Sequence, residues 1–410
     1  MNVWLVHIGE TLPTDEGWRP FRYSLLADAL TAAGHNVVRW APTFQHGKKE
    51  YRAHRDTSLD VSQRYAIQLL HAPGYKRNVS LKRIRFHRAL ARSFREAAAK
   101  RKQPDAIVAA VPSTEWACEA VRYGRAFGIK TILDVRDLWP DLFVNALPPF
   151  ARSVGFALCR PFVQQVKFSA QYATGLVGVS EAYLEWGLKH AGRPRGPSDR
   201  VFPLGYRPPT VSAADVEDRI KWFRHLGVDP AQLVCVFIGQ FEATYDVETI
   251  IAAAEDLYRA GRPVQFLLCG DGHKMFALRK AAKNLPNVFL PGSVDQTGIA
   301  AALRVAKVGL VAYAKDAPQS LPNKPFEYFS GGLAILSSLR SELDDLLSAH
   351  DCGMTYQPGD SRRLAQLISE LECDEEKRLR LAAHGNHLYE KLYRADVIYP
   401  EFVRYIESLG

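Results

Sequence analysis

Apolar runs of about six residues recur along this chain, most of them followed by a stretch whose apolar residues repeat at helical spacing, and that alternation restricts its fold more than any other feature. The runs are continuous rather than alternating, so they read as strands buried on both faces, and the amphipathic stretches between them supply the covering helices. In the first half the strands are VWLVHI, NVVRWA, DAIVAA, KTILDV and GLVGVS, with helices expected near 21–33, 114–127 and 153–172. A long basic region separates the second run from the third. In the second half the strands are LVCVFIGQ, VQFLLCGDG, NVFLPGSV, KVGLVAYA and LAILSS, with a helix near 247–260. Strands joined by helices in this order form right-handed crossovers, and the expected class is α/β with doubly wound, Rossmann-like parallel sheets.

A chain of 410 residues exceeds one hydrophobic core, so two domains are expected. Their junction falls between Gly192 and Ala213, where Pro, Gly and Arg crowd together; DRVFPL reads there as a last strand and the remainder as a hinge. The expected domains are 1–205 and 206–392. With 47% apolar and 24% charged residues the chain is neither disordered nor fibrous. No run approaches the ~20 apolar residues of a membrane-spanning helix. MNVWLVHIG has no basic flank and no cleavage site, so it reads as a first strand, and the expected location is the cytoplasm. Six cysteines lie far apart with no Cys-x-x-Cys pair and mostly among apolar neighbours, as buried thiols do. His384 and His387 could share a helix face, but no third ligand accompanies them, and no metal is expected. Charge is uneven: residues 1–205 hold 30 Lys and Arg against 17 Asp and Glu, the rest 23 against 27. The basic half favours an anionic partner.

The sharpest constellation is APQSLPNKPFEYFSGGLAIL, residues 317–336. A strand ends near Ala314, a loop with two prolines follows, and Lys324 opens a helix that Gly331-Gly332 closes. A cation in a first helical turn opposes the helix dipole unless an anion sits there. A phosphate at that terminus would gather the lysine and the free amides together. Glu327 lies one turn on, spaced for a carboxylate that accepts from two ribose hydroxyls. The plainer alternative is an exposed helix with a chance charge pair.

This stretch resembles the nucleotide-binding segment of GT-B glycosyltransferases of family 4, in which a Glu-x7-Glu motif leads into a helix of the type LEAMACGxPVV. Phe326 to Leu336 match that pattern. Gly239 after the restarting strand, Gly270-Asp271-Gly272, Asn287 to Gly292 and the Val179-Ser180 step fall in the family's order. The resemblance implies two Rossmann-like domains facing across a cleft, a terminal helix (about 393–410) returning to the first domain with a kink at Pro400, and a nucleotide diphosphate-sugar donor. It implies transfer with retention and without metal or other cofactor. Donor contacts would come from Glu327, Lys324, Asn323, Gly239, Gln240, Tyr245, Gly270, Val294, Ser320 and Leu321, with Lys324 and Gln319 catalytic.

Three departures stand out. Gln319 replaces the first glutamate of the motif, and Gln240 and Tyr245 replace the Arg-plus-Lys pair that grips the diphosphate. The glycine loop after the first strand is absent, leaving Gly17, Arg19 and Arg22 in GETLPTDEGWRPFR. Lys324 is the expected substitute cation, a pattern resembling a subgroup found in bacterial surface-polysaccharide assembly, and Arg19 or Arg22 could assist it. Asp134 and Asp137, at a strand's C-terminal end, could orient an acceptor or take its proton; a salt-bridged strand end is the alternative.

The stretch Lys76–Lys102 holds eleven Lys and Arg and one Glu, interleaved with Val79, Leu81, Ile84, Phe86, Leu90 and Phe94. Part is a helix packing Leu90 and Phe94 inward. Lys82, Arg83, Arg85 and Arg88 are expected to meet an anionic membrane surface, where a glycan or lipid-linked acceptor would lie, unless they form a solvated face. No nucleic-acid recognition motif accompanies them. Three functions fit: a retaining glycosyltransferase at the membrane's inner face building capsule, O-antigen or exopolysaccharide; another GT-B enzyme such as a nucleotide-sugar epimerase; or a non-catalytic nucleotide-sugar-binding scaffold.

Overall fold

The computed structural model describes residues 1–78, 80–145 and 147–409. Val79, counted above among the apolar residues of the basic stretch, lies outside them. The chain divides into two compact units, Met1–Leu204 with Asp396–Gly410, and Gly205–Ala395.

The first unit is built on an eight-stranded sheet. Its elements in chain order are β1 (Asn2–Val6), α1 (Arg22–Ala32), β2 (Asn36–Pro42), the short pair β3 (Phe44–Gln45) and β4 (Glu50–Tyr51), β5 (Thr57–Ser62), β6 (Tyr65–Leu70), α2 (Leu81–Ala98), β7 (Ala106–Val111), α3 (Thr114–Phe127), β8 (Lys130–Val135), α4 (Asp141–Asn145), α5 (Arg152–Tyr172), β9 (Gly175–Gly178), α6 (Glu181–Ala191) and β10 (Arg200–Val201). The strand order is β10-β9-β8-β7-β1-β2-β6-β5, parallel except for the antiparallel edge β5. β5 and β6 lie inside what the sequence suggests is only a long basic region. The apolar YAIQLL pairs with β2 from Val37–Tyr65 to Pro42–Leu70, and the polar TSLDVS covers it as an exposed edge. A polar edge strand carries too little apolar signal to be read from its own residues.

The second unit holds α7 (Ala213–His225), β11 (Leu233–Ile238), α8 (Val247–Arg259), β12 (Val264–Cys269), α9 (Met275–Ala281), β13 (Val288–Gly292), α10 (Gln296–Val305), β14 (Val308–Val311), α11 (Lys324–Ser330), β15 (Ala334–Ser337), α12 (Glu342–Ala349), β16 (Gly353–Thr355), α13 (Ser361–Cys373) and α14 (Glu375–Leu388). All six strands are parallel, ordered β13-β12-β11-β14-β15-β16. The two-residue period of β11 explains its continuous apolar run. Val234, Val236 and Ile238 enter the core on one face, and Leu233, Cys235 and Phe237 enter the core on the other.

The last helix, α15 (Ala395–Leu409), returns to the first unit. Phe402 stacks on Phe202 with ring centres 4.4 Å apart, and the Tyr405 hydroxyl donates to the Ser198 carbonyl at 2.6 Å. The break in the chain falls not at Pro400, which lies within α15, but at Arg394, whose backbone is extended after a π-helical turn at Tyr389–Tyr393. Pro400 is the sixth residue of α15, past the free amides of the first turn, so the helix runs through it at the loss of one ladder bond. Among the cysteines, Cys373 is exposed and Cys159 half-buried, while the other four are buried.

Candidate functional site

The parallel strands of the second unit bring their C-terminal ends to one edge, where open α/β sheets hold ligands. Gly239 and Gly270 follow β11 and β12 there, and Gly292 ends β13. The backbones pack closely: the Gly239 amide donates to Cys269 and the Gly270 amide to Gly292, both at 2.9 Å. A Cβ on Gly270 would fall 1.8 Å from the Gly239 carbonyl oxygen, so only glycine fits.

The α11 helix is pinned beneath this edge by Tyr328. Its hydroxyl accepts from the Ile238 amide at 2.9 Å, and its ring fills the space that a side chain at Gly309 would need. That anchor sets the positions of Lys324 and Glu327, three residues apart. Lys324 is only 8% exposed. Its ammonium donates to the Ile238 carbonyl and lies 4.8 Å from the centre of the Phe237 ring and 4.7 Å from that of Tyr245. A Cβ at Gly239 would come within 2.2 Å of that nitrogen. Among the described residues no carboxylate lies within ion-pair distance of it. The cation is thus held on a carbonyl and two aromatic faces, neither of which neutralises its charge.

Glu327 is 4% exposed and accepts from the Tyr206 hydroxyl at 3.3 Å. Tyr206 is itself fixed by the Tyr389 hydroxyl on its carbonyl at 3.1 Å. Tyr206, Phe237 and the Ile238 carbonyl are site groups that sequence reasoning misses. Tyr206 stands 121 positions before Glu327, and no local pattern marks it.

Little of the expected fan of free amides at the start of α11 remains. Pro325 has no amide, and the amides of Phe326 and Glu327 donate to the Asn323 carbonyl at 3.1 and 3.2 Å. With seven residues the helix also has a small dipole. The side chain of Lys324, rather than backbone donors, carries whatever an anion would meet. Before it, the side-chain carbonyl oxygens of Gln319 and Asn323 are buried without a hydrogen-bond partner among the described residues. Ser320 donates to Glu342 at 2.7 Å, and the Ser341 hydroxyl donates to the Ser320 carbonyl at 2.6 Å, which fixes the loop. Leu321 is buried, and Val294 packs half-buried against the same core. Gln240 is exposed, while Tyr245 packs on Tyr313 with centres 4.9 Å apart. Lys274 supplies a cation to this loop, donating to the Tyr245 carbonyl at 2.7 Å, but Glu248 pairs with it at 3.0 Å.

In the first unit two expected functional groups are paired with each other. Arg22 and Asp134, proposed respectively to face a diphosphate and to act on an acceptor, form a fully buried bidentate pair at 2.9 Å on both arms. The Arg22 Nη1 donates to the carbonyls of Phe202 and Pro203 at 2.8 and 3.0 Å. Burial alone would lower the Arg22 pKa; the Asp134 charge and hydrogen bonds outweigh it and raise the pKa. Beside this pair, Glu10 accepts from Arg136 at 2.6 Å and Arg39 at 3.2 Å, a buried network that the sequence leaves unannounced. Gly17 and Arg19 lie in the loop before α1, with the Arg19 carbonyl accepting from Thr11 at 3.1 Å. Asp137 is half-buried, bonded to the Leu138 amide at 2.8 Å, and burial raises its pKa. Lys82, Arg85 and Arg88 are exposed on α2, but Arg83 turns inward. Its guanidinium lies 4.4 Å from the Trp139 ring centre and donates to the Asn78 carbonyl at 2.8 Å. Its position facing the body of the unit corrects its assignment to a surface patch.

Comparison with known proteins bears on this geometry. Residues 218–387, most of the second unit, match the family model for glycosyl transferases group 1. No curated protein sequence matches the chain. Among solved structures, sucrose-phosphate synthase from Thermosynechococcus elongatus superposes with a TM-score of 0.74 at 16% identity, covering 100% of this chain and 98% of that one. HepE of Anabaena in complex with UDP gives 0.70 at 14% identity, with both chains fully covered. WaaG, a glycosyltransferase involved in lipopolysaccharide biosynthesis, gives 0.65 at 15% identity over 99% of each chain. At these identities the likeness fixes the fold, which is that of the GT-B glycosyltransferases. The fold and the family-model match together support a GT-B glycosyltransferase with a group 1 domain in its second unit.

Proposed function

We propose that this protein is a retaining, metal-independent glycosyltransferase that moves a sugar from a nucleotide diphosphate donor to a lipid-linked or polysaccharide acceptor, in the assembly of a bacterial capsule, O-antigen or exopolysaccharide. The observation that carries this reading is Lys324, a buried ammonium without a counter-ion among the described residues, three residues from the buried carboxylate of Glu327. Such a cation is costly to hold unless the working state supplies an anion. A nucleotide diphosphate, the class of ligand that Anabaena HepE holds as UDP, would meet both needs, its phosphates facing Lys324 and its ribose hydroxyls donating to Glu327. The unpartnered carbonyls of Gln319 and Asn323 would accept sugar hydroxyls beside them.

Breaking the bond between sugar and diphosphate builds negative charge on the leaving phosphate. Lys324 stabilises that charge more than it stabilises the bound donor, because the charge grows toward the transition state. It thereby takes the work of the cations replaced by Gln240 and Tyr245. The first unit holds the acceptor, and exposed Lys82, Arg85 and Arg88 bring it to an anionic bilayer.

The test starts with a thermal-shift screen of UDP-, GDP- and dTDP-sugars, followed by hydrolysis of the donor that binds. Lys324→Ala should lower kcat by about two to three orders of magnitude, the usual loss for one preorganised donor, with a smaller effect on KM. Lys324→Arg should recover part of it. A Lys324→Ala enzyme within about tenfold of wild type would remove the lysine from the mechanism.

A further inference from the structure

The first unit contains a cavity of about 550 Å³ between α2, α4 and α5, within the range of small-molecule sites. Its walls are apolar, formed chiefly by Ile84, Trp139, Phe143, Leu158 and Phe162. Its floor is not. His87 and Glu115, both more than nine-tenths buried, line it together with the half-buried Arg83.

Each of the three has an unmet need. The Arg83 Nε–H donates to His87 Nε2 at 3.4 Å, which places the remaining imidazole proton on Nδ1. Burial, and then the Arg83 charge, lower the His87 pKa to about 3, so the ring is neutral. Nδ1 has no partner among the described residues. Ser113 and Thr114 donate to Glu115 Oε2, each at 3.2 Å, while Oε1 is buried and also unpartnered. One free donor and one free acceptor suit a hydroxyl group, which both accepts and donates. Arg83 has no carboxylate within ion-pair distance among the described residues, so it offers its charge to an anion.

The mouth differs again. Leu81 on α2 is 73% exposed and Leu158 on α5 74%, and Phe150, just before α5, and Val154, on it, also face solvent. Lys82 and Arg85 flank Leu81 as exposed cations. An apolar opening flanked by cations on α2 suits the surface of an anionic membrane. We propose that this cavity is the acceptor site and takes a phosphorylated single-chain amphiphile. Its phosphate rests on Arg83, a head-group hydroxyl lies between His87 and Glu115, and its hydrocarbon chain leaves past Leu81 and Leu158 into the bilayer. This assignment rests on the transferase reading for its role, but not for its test.

Cys159 lines the cavity and is half-buried, whereas Cys373 is exposed in the other unit and serves as an internal reference. The experiment follows alkylation of both by N-ethylmaleimide, read by peptide mass. Farnesyl phosphate should slow Cys159, but not Cys373, by about tenfold at a concentration ten times its Kd. Farnesol should need about tenfold to a hundredfold more, and Arg83→Met should erase that difference. Inorganic phosphate should do nothing. The proposal falls if farnesyl phosphate gives no protection, or if farnesol protects equally well. It also falls if only phosphatidylglycerol vesicles protect, which would make this face a bilayer contact without a bound chain. Should Arg83→Met fail to fold, the wild-type comparison of the two farnesyl compounds decides alone. Donor binding is measured separately, so loss of Cys159 protection with an intact donor response overturns the cavity assignment and leaves the transferase reading standing.

Discussion

Glu327 is the residue whose role is simplest to isolate. Its carboxylate is buried and shares a hydrogen bond with Tyr206, so Glu327→Gln keeps the shape and removes the charge. Nucleotide affinity should drop by about 1.5–3 kcal/mol, the value of a charge-assisted hydrogen bond, in an isothermal titration with the nucleoside diphosphate that binds wild type. Unchanged affinity would dismiss the ribose contact. Asp134 should behave in the opposite sense. Because both partners of the Arg22 pair are fully buried, Asp134→Asn leaves a guanidinium without its counter-charge. Unfolding in urea should show a loss of about 3–5 kcal/mol. A variant of full stability but without activity would return Asp134 to the chemistry. The distinction was invisible in LDVRDLWPD, since a carboxylate at a strand end looks the same whether it meets a substrate or an arginine 112 positions away.

At the scale of one element, α2 shows how a basic amphipathic pattern divides once it folds. Phe86, Leu90 and Phe94 are buried, as helical spacing predicts, and Lys82, Arg85 and Arg88 are left outside. Arg83 is drawn inward over Trp139, and Leu81 is left in solvent. A charged residue thus sits inside and an apolar one outside, against the simple pattern. Reversing Lys82, Arg85 and Arg88 to glutamate should abolish cosedimentation with anionic liposomes, at about 1 kcal/mol lost for each cation removed, and leave donor hydrolysis intact. Wild-type protein that ignores such liposomes at ~0.1 M salt would make α2 a solvated face.

Across the molecule, the titrating groups are distributed unequally. His7, His46 and His87, all in the first unit, have lowered pKa values, chiefly by burial and then by neighbouring cations; His46 falls to about 4 and His87 to about 3. A histidine kept neutral in the folded state adds nothing above its unfolded pKa of about 6.5, and costs stability as pH falls below it, because only the unfolded chain then gains the proton. The stability of the first unit should therefore decline between about pH 6.5 and 4. His87→Gln should flatten that decline by roughly 1.4 kcal/mol per pH unit, measured by urea melts across the range. Equal slopes in the variant and wild type would mean that His87 takes up its proton in the fold.

The sequence by itself determined the two parallel sheets, because a strand buried on both faces must be apolar throughout. Runs such as LVCVFI and DAIVAA therefore state their own positions. It also marked Lys324 and Glu327, whose oddity is local: a cation opening a helix and a carboxylate one turn on. The polar edge strand β5 escaped it, since what makes TSLDVS a strand is the apolar β6 beside it. Tertiary structure alone decided which charges are left for chemistry. Arg22 and Asp134 neutralise each other across the sheet, Tyr206 comes to Glu327 from the far end of the unit, and Phe237 and Ile238 close around Lys324. It also decided that His87 and Glu115 share the floor of one cavity. Burial and pairing are properties of neighbours in space, and a charge-bearing residue becomes structural or functional only when the fold supplies or withholds its partner.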